Sequence, residues 1–282
     1  MKTTRFLVDC HTHLNWYLED SSKSAAEVAH ALFADMAKHG VDHAVVLTSY
    51  KINDHRPSIE QVIDLVGGDP RITLVEGLRW RGDDGRTDLF ELEARIGRGE
   101  VKGIKLYPGY DHYAINDPSL EGVFRIAAKH AVPVMIHTGD TYSKQAKVRH
   151  AHPLLVDDVA VDYPDVQFLM CHLGNPWFED AAEVLYKNDN VYADVSGLTL
   201  GQFSTRFEEH ILEKVRNVVT YMGDPEKQLL YGSDWPLVDM GSYLDFFDDL
   251  ELSPEARERV AWGTAAELFG IELEARTTPS GS

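Results

Sequence analysis

Cysteine is scarce: the 282 residues hold two, Cys10 and Cys171. A secreted disulfide scaffold needs more cysteines in a shorter chain. Each lies beside a histidine in an apolar run, so buried thiols in a reducing cytosol are expected. Basic residues are few as well, 27 Lys and Arg against 46 Asp and Glu, for a net charge of -19. Such a surface repels phosphate backbones and makes nucleic acid a poor partner. Solubility is the ordinary account of the charge. No apolar run approaches the ~20 residues that span a bilayer. The first apolar stretch, Phe6-Leu7-Val8, meets an acid at Asp9, so no signal peptide is expected. The expectation is a cytoplasmic protein without a membrane partner. No linker and no shift in composition breaks the chain. One domain over 1–274 is therefore expected, followed by a flexible tail, 275–282, of Thr, Pro, Ser and Gly.

What is present is an alternation. Short apolar runs occupy Arg5–His13, Val41–Leu47, Arg71–Leu78, Val101–Tyr107, Val132–His137, Val166–His172, Asn190–Val195 and Gln228–Asp234. Their Val, Ile, Leu and Tyr content predicts strands. Segments of helical period separate them: Ala25–His39, Pro57–Val66, Leu89–Ile96, Leu120–Lys129, Pro153–Tyr163, Phe178–Lys187 and Phe207–Met222. Gly40 is placed to cap the first of these, Pro57 to open the second and Gly67-Gly68 to end it. Ser253-Pro254-Glu255 opens a last helix toward Gly270. Strands that alternate with helices form a parallel sheet. Eight of them are what an α/β fold of the (β/α)8 TIM-barrel type needs, in one domain of ~250 residues. An open doubly wound sheet is the alternative, but no Gly-rich phosphate turn follows an early strand.

The strongest local signal is Asp9-Cys10-His11-Thr12-His13. Residues two apart on a strand share a face, so His11 and His13 project together. Imidazole suits Zn, Fe, Ni or Mn. Three more predicted strands end in ligand-type residues: His137, His172 and Asp234. In a barrel such ends meet on one face, where active sites form. Taken alone, His137 or His172 could be a core histidine on a backbone carbonyl, and Asp234 could cap the Trp235-Pro236 turn. Taken together, a shared cation would offset the desolvation of all of them. The remaining histidines are His30, His39, His130, His150, His152 and His210, in or beside helices, and the unassigned His43, His55 and His112. Most are expected to be solvated.

In order and spacing, five segments resemble the amidohydrolase superfamily. They are Asp9-Cys10-His11-Thr12-His13, Gly103-Ile104-Lys105-Leu106-Tyr107-Pro108, Ile136-His137-Thr138-Gly139, His172-Leu173-Gly174 and Gly232-Ser233-Asp234-Trp235-Pro236. The likeness is greatest to the amidohydrolase-related branch, which includes the aminocarboxymuconate-semialdehyde decarboxylase-like enzymes. The stretch Gly263-Thr264-Ala265-Ala266-Glu267-Leu268-Phe269-Gly270 looks like that branch's closing helix. The resemblance implies a distorted barrel with one divalent metal, Zn first and Mn second, on His11, His13, His137 and Asp234. It makes His172 an acid/base beside the metal's water. A cation lowers the pKa of bound water toward ~7. Asp234 could both ligate and accept a proton from that water. Asp9, on the face of His11, could orient an imidazole.

Lys105 admits several roles. It could anchor a substrate carboxylate or carbonyl oxygen, sit salt-bridged at the rim, or be a carboxylated bridge between two metals, with His137 and His172 on the second. The motifs resemble the mononuclear branch, so one metal is expected. The TatD-type nucleases share the paired histidines but typically carry Glu where this chain has Lys105, and the acidic charge argues against DNA. Among loop residues, Arg79 and Arg81, Tyr107 and Tyr110, Asp140 and Lys144, and Asn175 to Trp177 follow strands. Lys105, Tyr107, Arg79 and Trp177 are expected to contact a small-molecule substrate. Two reactions fit. The first is hydrolysis of an ester, lactone or amide by metal-activated water. The second is non-oxidative decarboxylation, or hydration, of an unsaturated or aromatic acid. Cations converging on the metal would favour the second, and cations turned away the first. Trp16, Tyr17, Phe246 and Phe247 would lie in the core or at a homo-oligomer interface.

Overall fold

A computed structural model of the protein describes residues 4–16, 23–81, 86–199, 205–224 and 227–273. Eight parallel strands follow one another in chain order: β1 (Val8–Thr12), β2 (His43–Leu47), β3 (Ile72–Gly77), β4 (Gly103–Leu106), β5 (Val134–His137), β6 (Phe168–Cys171), β7 (Val191–Asp194) and β8 (Leu229–Leu230). Backbone hydrogen bonds from the segment after β8 bring it against β1. Cys10 N–H donates to Tyr231 O at 3.0 Å, Asp234 N–H to His11 O at 2.9 Å, and His13 N–H to Trp235 O at 2.8 Å. The result is a nearly closed (β/α)8 TIM barrel.

Helices α1 (Ala25–His39), α2 (Ile59–Val66), α3 (Leu89–Gly97), α4 (Glu121–His130), α5 (Leu154–Asp162), α6 (Phe178–Lys187) and α7 (Thr205–Met222) link successive strands. After β8 come α8 (Met240–Asp248), α9 (Pro254–Glu258), a π-helical turn (Arg259–Gly263) and α10 (Thr264–Phe269). Local chemistry sets the ends. Ser24 and Glu27 form a capping box on α1, and Gly40 stops it at φ 71°, a conformation that costs glycine little. Ser58 caps α2, so Pro57 precedes the cap and does not open the helix. No helix of the described residues is long and apolar enough to cross a membrane. The tail 275–282 and Tyr17 lie outside the described residues.

The strands are buried on both faces, which is why they read as unbroken apolar runs. Val8, Val45, Val75, Met135, Leu169 and Leu230 fill the barrel, joined by Phe269 from α10. Residues of opposite parity, such as Val46, Ile104, Ile136 and Met170, pack against the helices. Phe246 and Phe247 of α8, a helix unmarked in the sequence, belong to that outer core.

Two strand ends and one histidine differ from expectation. β6 stops at Cys171, and His172 opens a turn. β8 is two residues long, so Asp234 stands beyond it in a turn with φ 69°. His43 is no surface group: it is buried, with Nε2 2.9 Å from Thr73 Oγ1. Burial lowers its pKa from 6.5 to about 4. A depressed histidine pKa means that the unfolded chain takes up protons first. Its contribution is therefore present above pH 6.5 and is lost as pH falls toward 4. The melting temperature of His43→Gln should accordingly fall less than that of the parent across this window. Parallel curves would exclude His43 as a source of acid sensitivity.

Candidate metal centre

The site begins with an irregularity in β1. Asp9 pairs with Ala44, but Thr12 pairs with Val46, so three steps in β1 face two in β2. An extra residue breaks the alternation of faces. Val8 and Cys10 belong to the barrel's inner cluster, yet His11 and His13 also turn their rings together, with centroids 5.2 Å apart. Asp9 does not follow them. Its carboxylate accepts from Ser233 N–H at 2.9 Å, Ser233 Oγ at 2.5 Å and His11 N–H at 3.2 Å. It ties β1 to the turn after β8 and orients no imidazole. Burial pushes the Asp9 pKa up to about 7, against the hydrogen bonds from Ser233.

Each histidine commits one ring nitrogen to an oxygen acceptor, and this fixes which nitrogen bears the hydrogen. His13 Nδ1 donates to the Leu47 carbonyl at 2.9 Å. His11 Nδ1 donates to Asp194 Oδ2 at 2.9 Å. The Nε2 lone pairs are left facing Asp234 Oδ1, at 3.4 Å from His13 and 3.6 Å from His11. Two nitrogen lone pairs and a carboxylate oxygen thus meet with no hydrogen among them. All three residues are buried, and their ligand atoms lie within 4.8 Å of one another. That donor set fits a divalent cation of the Zn or Mn type. Burial lowers the His11 pKa to about 4, keeping the ring neutral as a ligand must be. Burial alone would raise Asp234, but the adjacent His13, His11 and His172 outweigh it and hold the carboxyl below its ordinary value.

His137 and His172 lie beside this group with different hydrogen placements. His137 Nε2 donates to the Asp140 carbonyl at 2.9 Å, which leaves Nδ1 as its lone-pair atom. His137 is not among the three residues brought together. Its ring centroid is 5.1 Å from that of His172 and 4.7 Å from that of Tyr110. Burial and the nearby His172 and Lys105 hold its pKa well below the usual value. His172 Nδ1 donates to the Ser196 carbonyl at 3.0 Å, so its Nε2 carries the lone pair. The His172 and His11 centroids are 4.9 Å apart. His172 and Asp234 both have left-handed backbones, with φ 61° and 69°. Such conformations cluster at functional sites.

Asp194, the last residue of β7, was not marked in the sequence. It is fully buried and accepts from His11 Nδ1, from His172 N–H at 2.9 Å and from Ser196 N–H at 3.1 Å. Burial would raise its pKa, but His11 and its hydrogen bond outweigh this and hold it well below the carboxylate range. A weak signal was available, since Asp194 is an acid inside the seventh apolar run, one residue before its end at Val195.

The expected substrate residues divide. Lys105 is 1% exposed, and its Nζ donates to Cys171 Sγ at 2.6 Å within the barrel. Tyr107 donates to the Thr48 carbonyl at 2.6 Å. With Tyr50 and Tyr110 it forms an aromatic wall, Tyr50 lying 5.2 Å from Tyr107 and 5.6 Å from Tyr110, and Tyr110 leads on to His137. Arg79 instead lines a cavity of ≈ 210 Å³ with Glu60, Glu76 and Arg95, which none of the convergent residues lines. Arg81 pairs with Asp117. The Trp177 ring lies 4.6 Å from that of His152.

A barrel whose strand ends bring histidines and an aspartate together is the framework of a metal-dependent catalyst. The family model described as Amidohydrolase matches residues 8–271. The chain belongs to that amidohydrolase family. A search of curated proteins finds no match. Among solved structures, the chain is similar to an uncharacterised TIM-barrel protein from Bordetella bronchiseptica, with TM-score 0.71, 18% identity, and coverage of 94% of this chain and 98% of that one. It is similar to a probable 2-pyrone-4,6-dicarboxylic acid hydrolase from Acinetobacter baumannii, with citric acid bound, at TM-score 0.67, 15% identity and coverage of 94% and 99%. It is also similar to a dihydroxybenzoic acid decarboxylase from a Polaromonas species, with bound manganese and 2-nitroresorcinol, at TM-score 0.65, 13% identity and coverage of 95% and 98%. At these identities the likeness is one of fold.

Gly197 offers a direct probe. Its φ is 64°, and a Cβ there would lie 2.9 Å from Asp234 Oδ2 and 3.0 Å from His172 Nδ1. Gly197→Ala should lower stability by about 1 kcal/mol and weaken Zn(II) binding by displacing Asp234. Competition with a chromogenic chelator measures the second effect, and an unchanged affinity would separate Asp234 from the metal.

Proposed function

We propose that the protein is a mononuclear metal-dependent hydrolase acting on an ester, lactone or amide bond of a small molecule. His11 Nε2, His13 Nε2 and Asp234 Oδ1 hold the ion, Zn or Mn, with His137 as a further ligand through Nδ1. The observation that carries this reading is the hydrogen-free convergence of those two nitrogens and one oxygen. When bound, the cation supplies Lewis acidity and makes water a better nucleophile at neutral pH.

The chain's own residues do the rest. His172, with its hydrogen held at Nδ1, takes up a proton at Nε2 and returns it to the leaving group. Asp234 keeps a second carboxylate oxygen to steer the attacking water. Tyr50, Tyr107 and Tyr110 give a planar substrate ring a surface to lie against. Arg81 is engaged with Asp117, Arg79 faces another cavity, and Lys105 is buried on Cys171. A neutral carbonyl substrate therefore suits the site better than a carboxylate anchored by these cations.

The second reading is decarboxylation or hydration of a small unsaturated or aromatic acid. It is favoured by Lys51 and Arg56, whose charged groups lie 5.5 Å and 6.0 Å from the Tyr50 ring and could hold a carboxylate there. A binuclear centre would need Lys105 to leave Cys171 and become carboxylated.

Elemental analysis of the purified protein should give about one Zn or Mn per chain, and two would replace the mononuclear reading by the bridged one. His172→Ala should keep its metal and lose turnover by roughly 10²–10⁴-fold on a panel of lactones, esters and amides. Retained activity would remove His172 from the proton path. Activity confined to carboxylic acids, with release of carbon dioxide, would install the second reading.

A further inference from the structure

We infer that Asp194 and Ser196, at the end of β7, form one positioning unit that couples a metal ligand, His11, to the acid/base, His172. The inference builds on the metal-site reading above. Asp194 uses its two oxygens on different elements. Oδ2 accepts from the His11 ring on β1, and Oδ1 accepts from the backbone N–H of His172 after β6. Ser196 Oγ is 2.5 Å from Asp194 Oδ1 and 3.0 Å from Nδ1 of both His11 and His172.

Hydrogen counting makes this arrangement specific. A serine hydroxyl has one hydrogen. An ionised carboxylate can only accept, so that hydrogen points to Asp194. Toward the two rings the same oxygen can only accept. Both imidazoles must then carry hydrogen at Nδ1 and present lone pairs at Nε2. The two tautomers are not independent. For either ring to lose its Nδ1 hydrogen, the hydroxyl would have to turn from Asp194, leaving two oxygens 2.5 Å apart with no hydrogen in the gap between them. Asp194 and Ser196 are both 0% exposed, so bulk water does not fill the gap. The Ser196 carbonyl reinforces the choice at His172. Gly197 follows directly, and its missing side chain leaves room for Asp234 and His172 on its other side. A purely structural tie between β7 and its neighbours would not need an oxygen shared by two catalytic rings.

The test uses full-length protein with ¹⁵N-labelled histidine, metal-free and then titrated with Zn(II). Nitrogen–proton correlation spectra report which ring nitrogen bears hydrogen. In Ser196→Ala, the Nδ1 signals of His11 and His172 should move together. His13, whose Nδ1 is held by the Leu47 carbonyl, should stay in place as an internal control. Asp194→Asn keeps the shape and removes the charge, and should weaken Zn(II) binding about 10- to 100-fold. If Ser196→Ala moves only one of the two rings, or neither, the coupling is wrong. Unchanged Zn(II) affinity in Asp194→Asn would also overturn it. If the parent protein fails to bind Zn(II) while Ser196→Ala shifts both rings, the unit stands and the metal reading falls.

Discussion

A lone pair on an imidazole can be aimed only if the hydrogen on the opposite side of the ring is held. Much of the architecture around the barrel mouth answers that constraint. The Leu47 carbonyl holds His13, Asp194 holds His11, and the Ser196 carbonyl holds His172. These acceptors come from β2, β7 and the turn behind β7. A parallel barrel delivers all its strand ends to one face, which makes such mutual support possible. The irregularity in β1 does the complementary work, letting Cys10 pack inward while His11 and His13 both face the centre.

Three buried carboxylates illustrate how surroundings assign roles to one side-chain type. Asp9 meets hydroxyl and amide donors, and burial dominates, so its pKa rises to about 7. Asp194 and Asp234 are as deeply buried, but each faces imidazoles, and both are held below the ordinary range. Asp9 is thus suited to fastening the fold, while the other two keep their charge where a cation or a ring can use it. Lys105 adds positive charge to the same compartment and helps keep His11 and His137 neutral, behind the larger effect of burial.

The barrel was legible because burial on both faces makes a parallel strand a short apolar run, and eight such runs alternate with helical periods. The convergence of His11, His13 and Asp234 was legible because ligand-type residues closing apolar runs are costly without a partner. Other features left weaker marks. An inserted residue in β1 has no signature in the sequence, so alternation alone places Asp9 on the face of His11, where the structure does not. Asp194 ends β7 inside a run that continues to Val195, which hides a polar strand end in an apolar segment. α8 follows β8 and the Asp234 turn, while the stronger start signal, Ser253-Pro254-Glu255, lies at the next helix. His43 is buried through its bond to Thr73, a contact between strands 30 positions apart. Lys105 has a side chain long enough to reach solvent, substrate or core, and only packing against Cys171 chooses among them.

The join between β1 and the segment after β8 has a consequence for assembly. Asp9 and Ser233 touch across 224 positions of chain, and His11 and Asp234 stand on the two sides of the same seam. Drawing such distant segments together carries an entropic cost. An ion gripping both would act as a clasp on the ring of strands, contributing to folding as well as to chemistry. The candidate metal centre and the last closure of the barrel are then one event, and a chain that has not joined its ends has not brought His11 and Asp234 together.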